Sequence, residues 1–228
     1  MTDIKELKRR VWRRSLLSAP VLLAILLLPA GSLQFWQGWL YGFVFVATST
    51  AMTVHFLKHD PGLVERRMSV GPRAEQEPSQ KIIMTLTFVG FALLLVLPGF
   101  DYRWGWSHAP PWLVVSANAI VVLSFGVFFI VLKQNSYAAS TIRVEPGQPL
   151  ISTGVYAIVR HPLYSGALLL TFFTPLALGS YWTLLILVPM VPVLIWRLLD
   201  EERFLSRHLP GYIDYCRTTR FRLIPWIW

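Results

Sequence analysis

The sequence predicts an all-α, polytopic membrane protein with about six transmembrane helices. Of its 228 residues, 54% are hydrophobic and only 14% are charged, whereas roughly a quarter of the residues in a typical soluble domain are charged. The mean hydropathy is +0.51, and long stretches contain no charged residue at all. Basic residues recur in alternate loops. Together these features indicate a protein that crosses a bilayer repeatedly.

Six apolar segments are candidates for the spans. A transmembrane helix needs about 20 mostly apolar residues, with a range of roughly 17–25. The second and fourth segments fit this length, whereas the first and the last two are short, which favours tilted or kinked helices. Prolines inside or at the ends of the short segments favour kinks as well. The segments are Ser15–Ala30, Trp36–Leu57, Ile82–Phe100, Trp112–Leu132, Tyr164–Gly179 and Tyr181–Leu199.

The distribution of Lys and Arg predicts the orientation in the membrane. The arm before Ser15, the 58–81 loop, the loop after the fourth segment and the tail after Glu202 are all rich in these residues, whereas the opposite loops contain only Arg103. The side richer in basic residues is normally cytoplasmic. We therefore expect an integral, multi-pass protein with both termini in the cytoplasm.

The net charge of +9 is explained by this asymmetry and by contact with anionic lipid headgroups. The lipid bilayer is therefore an expected partner, and no nucleic acid is expected. His55 and His59 share a helical face but have no third ligand nearby, so no metal site is predicted. We interpret the 58–81 loop as a solvated linker with one short helix, because its five basic and four acidic residues balance.

Polar residues become dense after the fourth segment, so we divide the chain into N-terminal transmembrane helices (1–132) and a core (133–228). Thirty residues connect Asn135 to Tyr164, too many for an idle loop. Pro162 suits the first turn of the fifth helix. Arg160 and His161 then lie at the membrane surface beside a helix N-terminus, where they would bind either an anionic ligand group or a lipid phosphate.

A second polar cluster ends the sixth segment. Arg197 and Glu201 are four residues apart, so they share a helix face and could form an ion pair. The helix dipole disfavours the three carboxylates of residues 200–202 at a helix C-terminus, which indicates that a carboxylate there binds a ligand. The alternative is a solvated helix end with local arginine pairs. The core is therefore predicted to form a polar pocket beside lipid, for one water-soluble and one membrane-soluble ligand.

The runs GQPLISTGVYAIVRHPLYSG and RLLDEERFLSRHLPGYIDYCR resemble the C-terminal core of the isoprenylcysteine carboxyl methyltransferase family, which is related to membrane phospholipid methyltransferases. The resemblance covers roughly residues 135–225. It implies a cytoplasmic C-terminal region that binds S-adenosyl-L-methionine and a membrane-soluble methyl acceptor. No metal is implied. The motif Arg-His-Pro-x-Tyr is less specific, because sterol reductases that use a nicotinamide cofactor carry a similar one.

The same resemblance implies roles for individual residues. The catalytic residues that we expect are Arg197, which matches an arginine that binds the methyl acceptor, and Asn135, which resembles a polar position near that acceptor. Gln148 stands where the family usually has histidine, although an amide can also bond to a cofactor. The cofactor-binding residues that we expect are Gln148, Pro149, Leu150, Ile151, Tyr156, Arg160, His161, Pro162, Leu163, Tyr164, Glu201 and Glu202.

The activity expected from this resemblance is carboxyl methylation of a prenylcysteine-like or lipidic substrate. A carboxylate acceptor needs orientation but no base, whereas an amine must lose a proton, for which Glu202 or His161 would be the candidates. Three alternatives stay open at this point. They are methylation of a phospholipid amine or a thiol, a nicotinamide-dependent reductase of the sterol type, and a transporter or structural membrane protein without enzymatic activity.

Overall fold

The structure, a computed structural model, describes residues 4–68, 70–75, 77–145 and 147–228. Within these ranges the regular elements are all helical, with no strand. Short 3₁₀ turns separate some of the helices, and one of them, Trp182–Ile186, continues directly into α7. The helices are α1 Ile4–Ala30, α2 Trp36–His59, α3 Pro61–Met68, α4 Pro78–Trp104, α5 Pro111–Gln134, α6 Pro162–Ala177, α7 Leu187–His208 and α8 Tyr212–Thr218.

The predicted all-α, polytopic architecture is confirmed. Five helices are long and apolar enough to cross a membrane, namely α1, α2, α4, α5 and the continuous Trp182–His208. The sixth apolar helix, α6, has 16 residues. At about 1.5 Å per residue it is shorter than the roughly 30 Å hydrocarbon core. The chain is therefore an integral, multi-pass membrane protein whose shortest apolar helix packs mainly against α5.

The helices pack around a central apolar cluster that includes Leu26, Tyr41 and Val121. Small residues allow close crossings within it: a Cβ atom on Gly99 would lie 2.9 Å from the backbone nitrogen of Ala30. The buried Tyr41 hydroxyl lies 3.0 Å from the Thr174 hydroxyl and satisfies a polar group deep in the bundle. This packing joins α1, α2, α4, α5 and α6, whereas α7 packs mainly against α4.

We call one end of the bundle the basic end. It is formed by α3, by the connector (residues 135–161) and by the chain after His208. The C-terminal tail runs against the start of α6, where the amides of Arg160 and His161 donate to the carbonyls of Phe221 and Arg222, both at 2.9 Å. At the opposite end, the buried Asp101 accepts hydrogen bonds from Ser107 and Ser180.

The interpretation of the 58–81 loop as a solvated linker is wrong. Arg66 donates to the carbonyl of Ser136 at 2.6 and 2.9 Å, and Arg67 donates to the carbonyl of Ala138 at 3.1 Å. Glu75 is only 4% exposed. The balance of charges suggested solvation, but several of these charges bond to the connector or to α7. The division of the chain after residue 132 stays a prediction.

Candidate active site

A cavity of about 430 Å³ opens at the basic end. Its volume is typical of small-molecule sites, which are roughly 300–1,000 Å³. The connector, α7 and α8 supply most of its polar lining, whereas α2, α4, α5 and α6 contribute apolar side chains such as Met52, Met84 and Phe128. The cavity therefore has a polar part and an apolar part that is continuous with the transmembrane helices.

The structure brings together nearly all of the residues that the sequence singled out. They come from the end of α5, the connector, the start of α6 and the end of α7. Glu202 alone does not line the cavity. The predicted residues that line it are Asn135, Gln148, Pro149, Leu150, Ile151, Tyr156, Arg160, His161, Pro162, Leu163, Tyr164, Arg197 and Glu201.

Glu201 is oriented by the tyrosine of the Arg-His-Pro-x-Tyr motif. The Tyr164 hydroxyl donates to its Oε2 at 2.5 Å. In the described part of the chain, no Lys, Arg or His nitrogen lies within 4 Å of the Glu201 carboxylate. The ion pair that the helical spacing allows between Arg197 and Glu201 is therefore not formed within 4 Å. Glu201 presents an oriented carboxylate with no cation of the described residues in direct contact, although Arg197 lies close enough to interact with it electrostatically. Such a carboxylate suits a cationic or hydroxyl-bearing ligand.

Arg197 is bonded to the 58–81 loop instead. The residue is 8% exposed. Its Nη1 donates to Gln80 at 2.8 Å, and its Nη2 donates to Glu75 and to the carbonyl of Ser140, both at 3.0 Å. Sequence reasoning missed Glu75 and Gln80. A signal was available, because an arginine this close to the hydrocarbon needs a counter-ion, and the 58–81 loop has four carboxylates on the same side.

The other two carboxylates at the end of α7 are used within the chain. Asp200 accepts hydrogen bonds from Ser79 and Gln80. Glu202 accepts from Arg160 at 2.8 Å, from Arg222 at 3.0 Å, and lies 3.2 Å from the His161 ring. Glu202 thus fastens the connector and the tail to α7. This geometry does not support its predicted cofactor contact or its candidacy as a base.

Tyr156 joins the connector to α5 and α8. Its hydroxyl accepts from Asn135 Nδ2 at 3.0 Å, and its carbonyl accepts from the Tyr215 hydroxyl at 2.7 Å. Burial raises the pKa of Tyr156, so the hydroxyl stays protonated at neutral pH. Because that hydroxyl accepts from Asn135, its own proton is available to a ligand in the cavity.

Gln148 also lines the cavity, and its side chain is partly engaged. The amide of Glu145 donates to Gln148 Oε1 at 3.0 Å, which leaves the Gln148 NH₂ group as the donor for a ligand. No group of three or more His, Cys, Asp or Glu side chains within the described ranges could hold a metal ion. The polar lining thus includes tyrosines, amides, arginines, hydroxyl side chains, His161 and the carboxylate of Glu201.

The fold and the cavity define a class: an integral, multi-pass membrane protein with adjoining polar and apolar ligand regions. Within it, residues 112–210 match the family described as phospholipid methyltransferase. The match runs from α5 to the end of α7, less than half of the chain, and includes every predicted site residue. This region is therefore similar to a family of membrane methyltransferases. No curated protein matches the chain significantly.

Proposed function

We propose that the protein is a methyltransferase that uses S-adenosyl-L-methionine and acts on a membrane-soluble acceptor. The observation that carries the proposal is the two-part cavity. All of the residues that the family resemblance associates with the cofactor except Glu202 line the cavity, and transmembrane side chains line its apolar part. The similarity of residues 112–210 to phospholipid methyltransferases supports it. The reductase and transporter alternatives have no comparable support.

The polar lining fits the chemical groups of the cofactor. S-adenosylmethionine carries an ammonium, a sulfonium, ribose hydroxyls and an adenine ring. Glu201, held by Tyr164, would accept hydrogen bonds from the ammonium or the hydroxyls. The free NH₂ group of Gln148 and the Tyr156 hydroxyl would donate to acceptor atoms. When bound, the cofactor supplies a methyl group whose bond to sulfur breaks, with the electron pair staying on sulfur, as the acceptor's nucleophile forms the new bond to carbon.

The protein's contribution to such a displacement is mainly positioning. Tyr164 fixes the Glu201 carboxylate, and the pairing of Glu202 with Arg160 and Arg222 fixes the connector and the tail. The α7 helix therefore presents Glu201, the proposed cofactor-binding carboxylate, in a fixed position relative to the connector and the tail. No metal is required by this chemistry.

The acceptor's nucleophile could be either a carboxylate or an amine. The expected carboxyl methylation relies on Arg197, but this guanidinium already binds Glu75, so a carboxylate acceptor would have to replace that residue. Methylation of a lipid amine is therefore a second candidate, favoured by the Arg197–Glu75 pair and by the matched family. An amine must lose its proton to become nucleophilic, whereas a carboxylate needs no base.

A methyl-transfer assay tests the proposal. The purified protein in nanodiscs is incubated with S-adenosylmethionine labelled in its methyl group, together with extracted membrane lipids or a prenylcysteine. We expect label in the organic phase, reduced at least about tenfold by Glu201→Ala, because a charge-assisted hydrogen bond is worth about 1.5–3 kcal/mol. Glu77→Ala, an exposed carboxylate at the start of α4, is the matched control and should retain full activity.

Treatment of the labelled product with base separates the two acceptor chemistries. A methyl ester releases labelled, volatile methanol in alkali, whereas an N-methyl group is not cleaved and stays on the non-volatile headgroup. Absence of transfer to every lipid fraction by well-folded protein would contradict the methyltransferase proposal.

A further inference from the structure

The arginines of the cavity differ in whether a carboxylate neutralises them. Four arginines line it: Arg67, Arg143, Arg160 and Arg197. Three of these form ion pairs, Arg143 with Glu145 at 2.9 Å, Arg160 with Glu202 at 2.8 Å and Arg197 with Glu75 at 3.0 Å. Across residues 4–68, 70–75, 77–145 and 147–228, no carboxylate lies within 4 Å of the Arg67 guanidinium. Arg67 is therefore the cavity arginine whose charge no carboxylate within these ranges neutralises, so it is free to bind an anionic ligand.

Arg67 is held in place without being neutralised. Its Nη1 donates to the carbonyl of Ala138 at 3.1 Å, and the Ser140 hydroxyl donates to the Arg67 carbonyl at 3.3 Å. Burial lowers the pKa of Arg67, and the Tyr156 side chain lies close enough to interact with it electrostatically. A desolvated cation is costly unless an anion compensates it. A bound anionic group would supply that compensation.

Arg67 also lies where the main cavity meets a second, mostly apolar groove. This groove has a volume of about 250 Å³ and lies between α1, α2 and α3. Its apolar lining includes Val11, Phe56, Leu63, Val64 and Met68. Four residues line both spaces, namely Met52, Arg67, Val70 and Leu132. A molecule in the groove would thus have its polar end beside Arg67 and next to the proposed methyl-transfer site.

A second arginine stands at the same groove. Arg14 of α1 is exposed and donates to the carbonyl of Met68 at 3.0 Å. No ion pair joins it to a carboxylate in the part of the chain that the structure describes. The groove therefore combines an apolar wall with positive charge at its polar side, which matches an amphiphile whose anionic group adjoins an apolar chain.

We propose that Arg67 binds the anionic group of the methyl acceptor, and that the acceptor's apolar chain lies in the groove between α1, α2 and α3. The inference rests on the proposed methyltransferase function and refines it. Arg67 takes the role that the family resemblance assigned to Arg197, which acts as a positioning residue through its bonds to Glu75 and Gln80. Phosphate and carboxylate groups both fit a guanidinium fork, so the nature of the anion is decided by experiment.

The test measures the binding of defined amphiphiles to the full-length protein in a neutral detergent. Two anionic probes are used, a short-chain phosphatidylethanolamine and a prenylcysteine. Each has a partner without the anion, the corresponding diacylglycerol and the prenylcysteine amide. The variants are Arg67→Gln and the control Arg73→Gln, which changes an exposed arginine of the same loop that lines neither space. The affinity for S-adenosylmethionine is measured on the same samples.

We expect at least one anionic probe to bind the wild type, and Arg67→Gln to weaken that binding about tenfold or more, since a charge-assisted hydrogen bond is lost. Binding of the neutral partners and of S-adenosylmethionine should change less than twofold, and Arg73→Gln should resemble the wild type. The probe that loses affinity identifies the anion. The ratio of anionic to neutral affinity does not depend on the folded fraction, and Arg67→Lys, which keeps the charge, should lose less than Arg67→Gln.

Two results would overturn the inference. In one, Arg67→Gln leaves the affinity of both anionic probes within twofold of the wild type. In the other, Arg67→Gln weakens S-adenosylmethionine binding by as much as it weakens probe binding, so that Arg67 belongs to the cofactor. Either result leaves the methyltransferase proposal standing if the wild type binds S-adenosylmethionine. A wild type that binds no S-adenosylmethionine would instead contradict the proposed function.

Discussion

At the scale of single residues, the Arg197–Glu75 pair couples α7 to the loop before α4. Glu75 is 4% exposed and Arg197 8%, so both charges are largely out of water. Removing one partner of such a pair leaves an uncompensated buried charge and typically costs about 3–5 kcal/mol. We therefore expect this pair to stabilise the basic end more than the exposed ion pairs of the surface do.

Glu75→Gln tests this role. We expect the variant to lower the melting temperature of the detergent-solubilised protein, because Arg197 loses its counter-ion while Gln80 and the Ser140 carbonyl still bind it. The expected loss in the free energy of unfolding is about 3 kcal/mol. Glu77→Gln, two residues away and exposed, should melt like the wild type. Equal melting temperatures for the two variants would show that the pair contributes nothing to stability.

The same residues show what could be predicted from the sequence alone. The depth of Arg197 in an apolar segment predicted a buried, paired arginine, but the i,i+4 rule pointed to Glu201 as its partner. The structure pairs Arg197 with Glu75, 122 residues away in the chain. Helical spacing describes neighbours on one element and carries no information about which loop folds over it. Glu201 is left without that ion pair, facing the cavity.

At the scale of elements, the apolar segments of the sequence predicted the positions of all six apolar helices. The ends were less accurate: α4 begins at Pro78 rather than near Ile82, and α7 extends to His208 rather than ending near Leu199. These extensions carry polar residues such as Gln80, Glu201 and Glu202, which are bonded within the basic end. A segment chosen by its hydrophobicity ends at its last apolar residue, whereas a helix continues wherever its polar side chains find partners.

Small elements were harder to predict than long ones. The 58–81 loop contains α3 and a 3₁₀ turn at Pro72–Ala74, and it supplies both Arg67 and Glu75 to the cavity region. Its charge balance resembles that of a solvated linker. Its actual position depends on long-range hydrogen bonds, such as those from Arg66 to Ser136, which no local pattern encodes.

At the scale of the whole molecule, the N-terminal half of α1 packs against α3 at the basic end. We propose that this end faces the cytoplasm, because Lys and Arg accumulate on the cytoplasmic side of membrane proteins. Reporter fusions at Gly71 and at the C-terminus should then read cytoplasmic, and a fusion at Ser107 should read external. A C-terminal fusion that reads external would contradict this orientation.

We propose that the polar part of the cavity binds S-adenosylmethionine, and calorimetric titration of the purified protein measures that binding. We expect S-adenosylmethionine and its homocysteine product to bind, a reduced nicotinamide cofactor not to bind, and Glu201→Ala to weaken cofactor binding by about 1.5 kcal/mol or more. Glu77→Ala should bind like the wild type. Binding of the nicotinamide cofactor, with none of S-adenosylmethionine, would contradict the proposed methyltransferase function and favour a reductase.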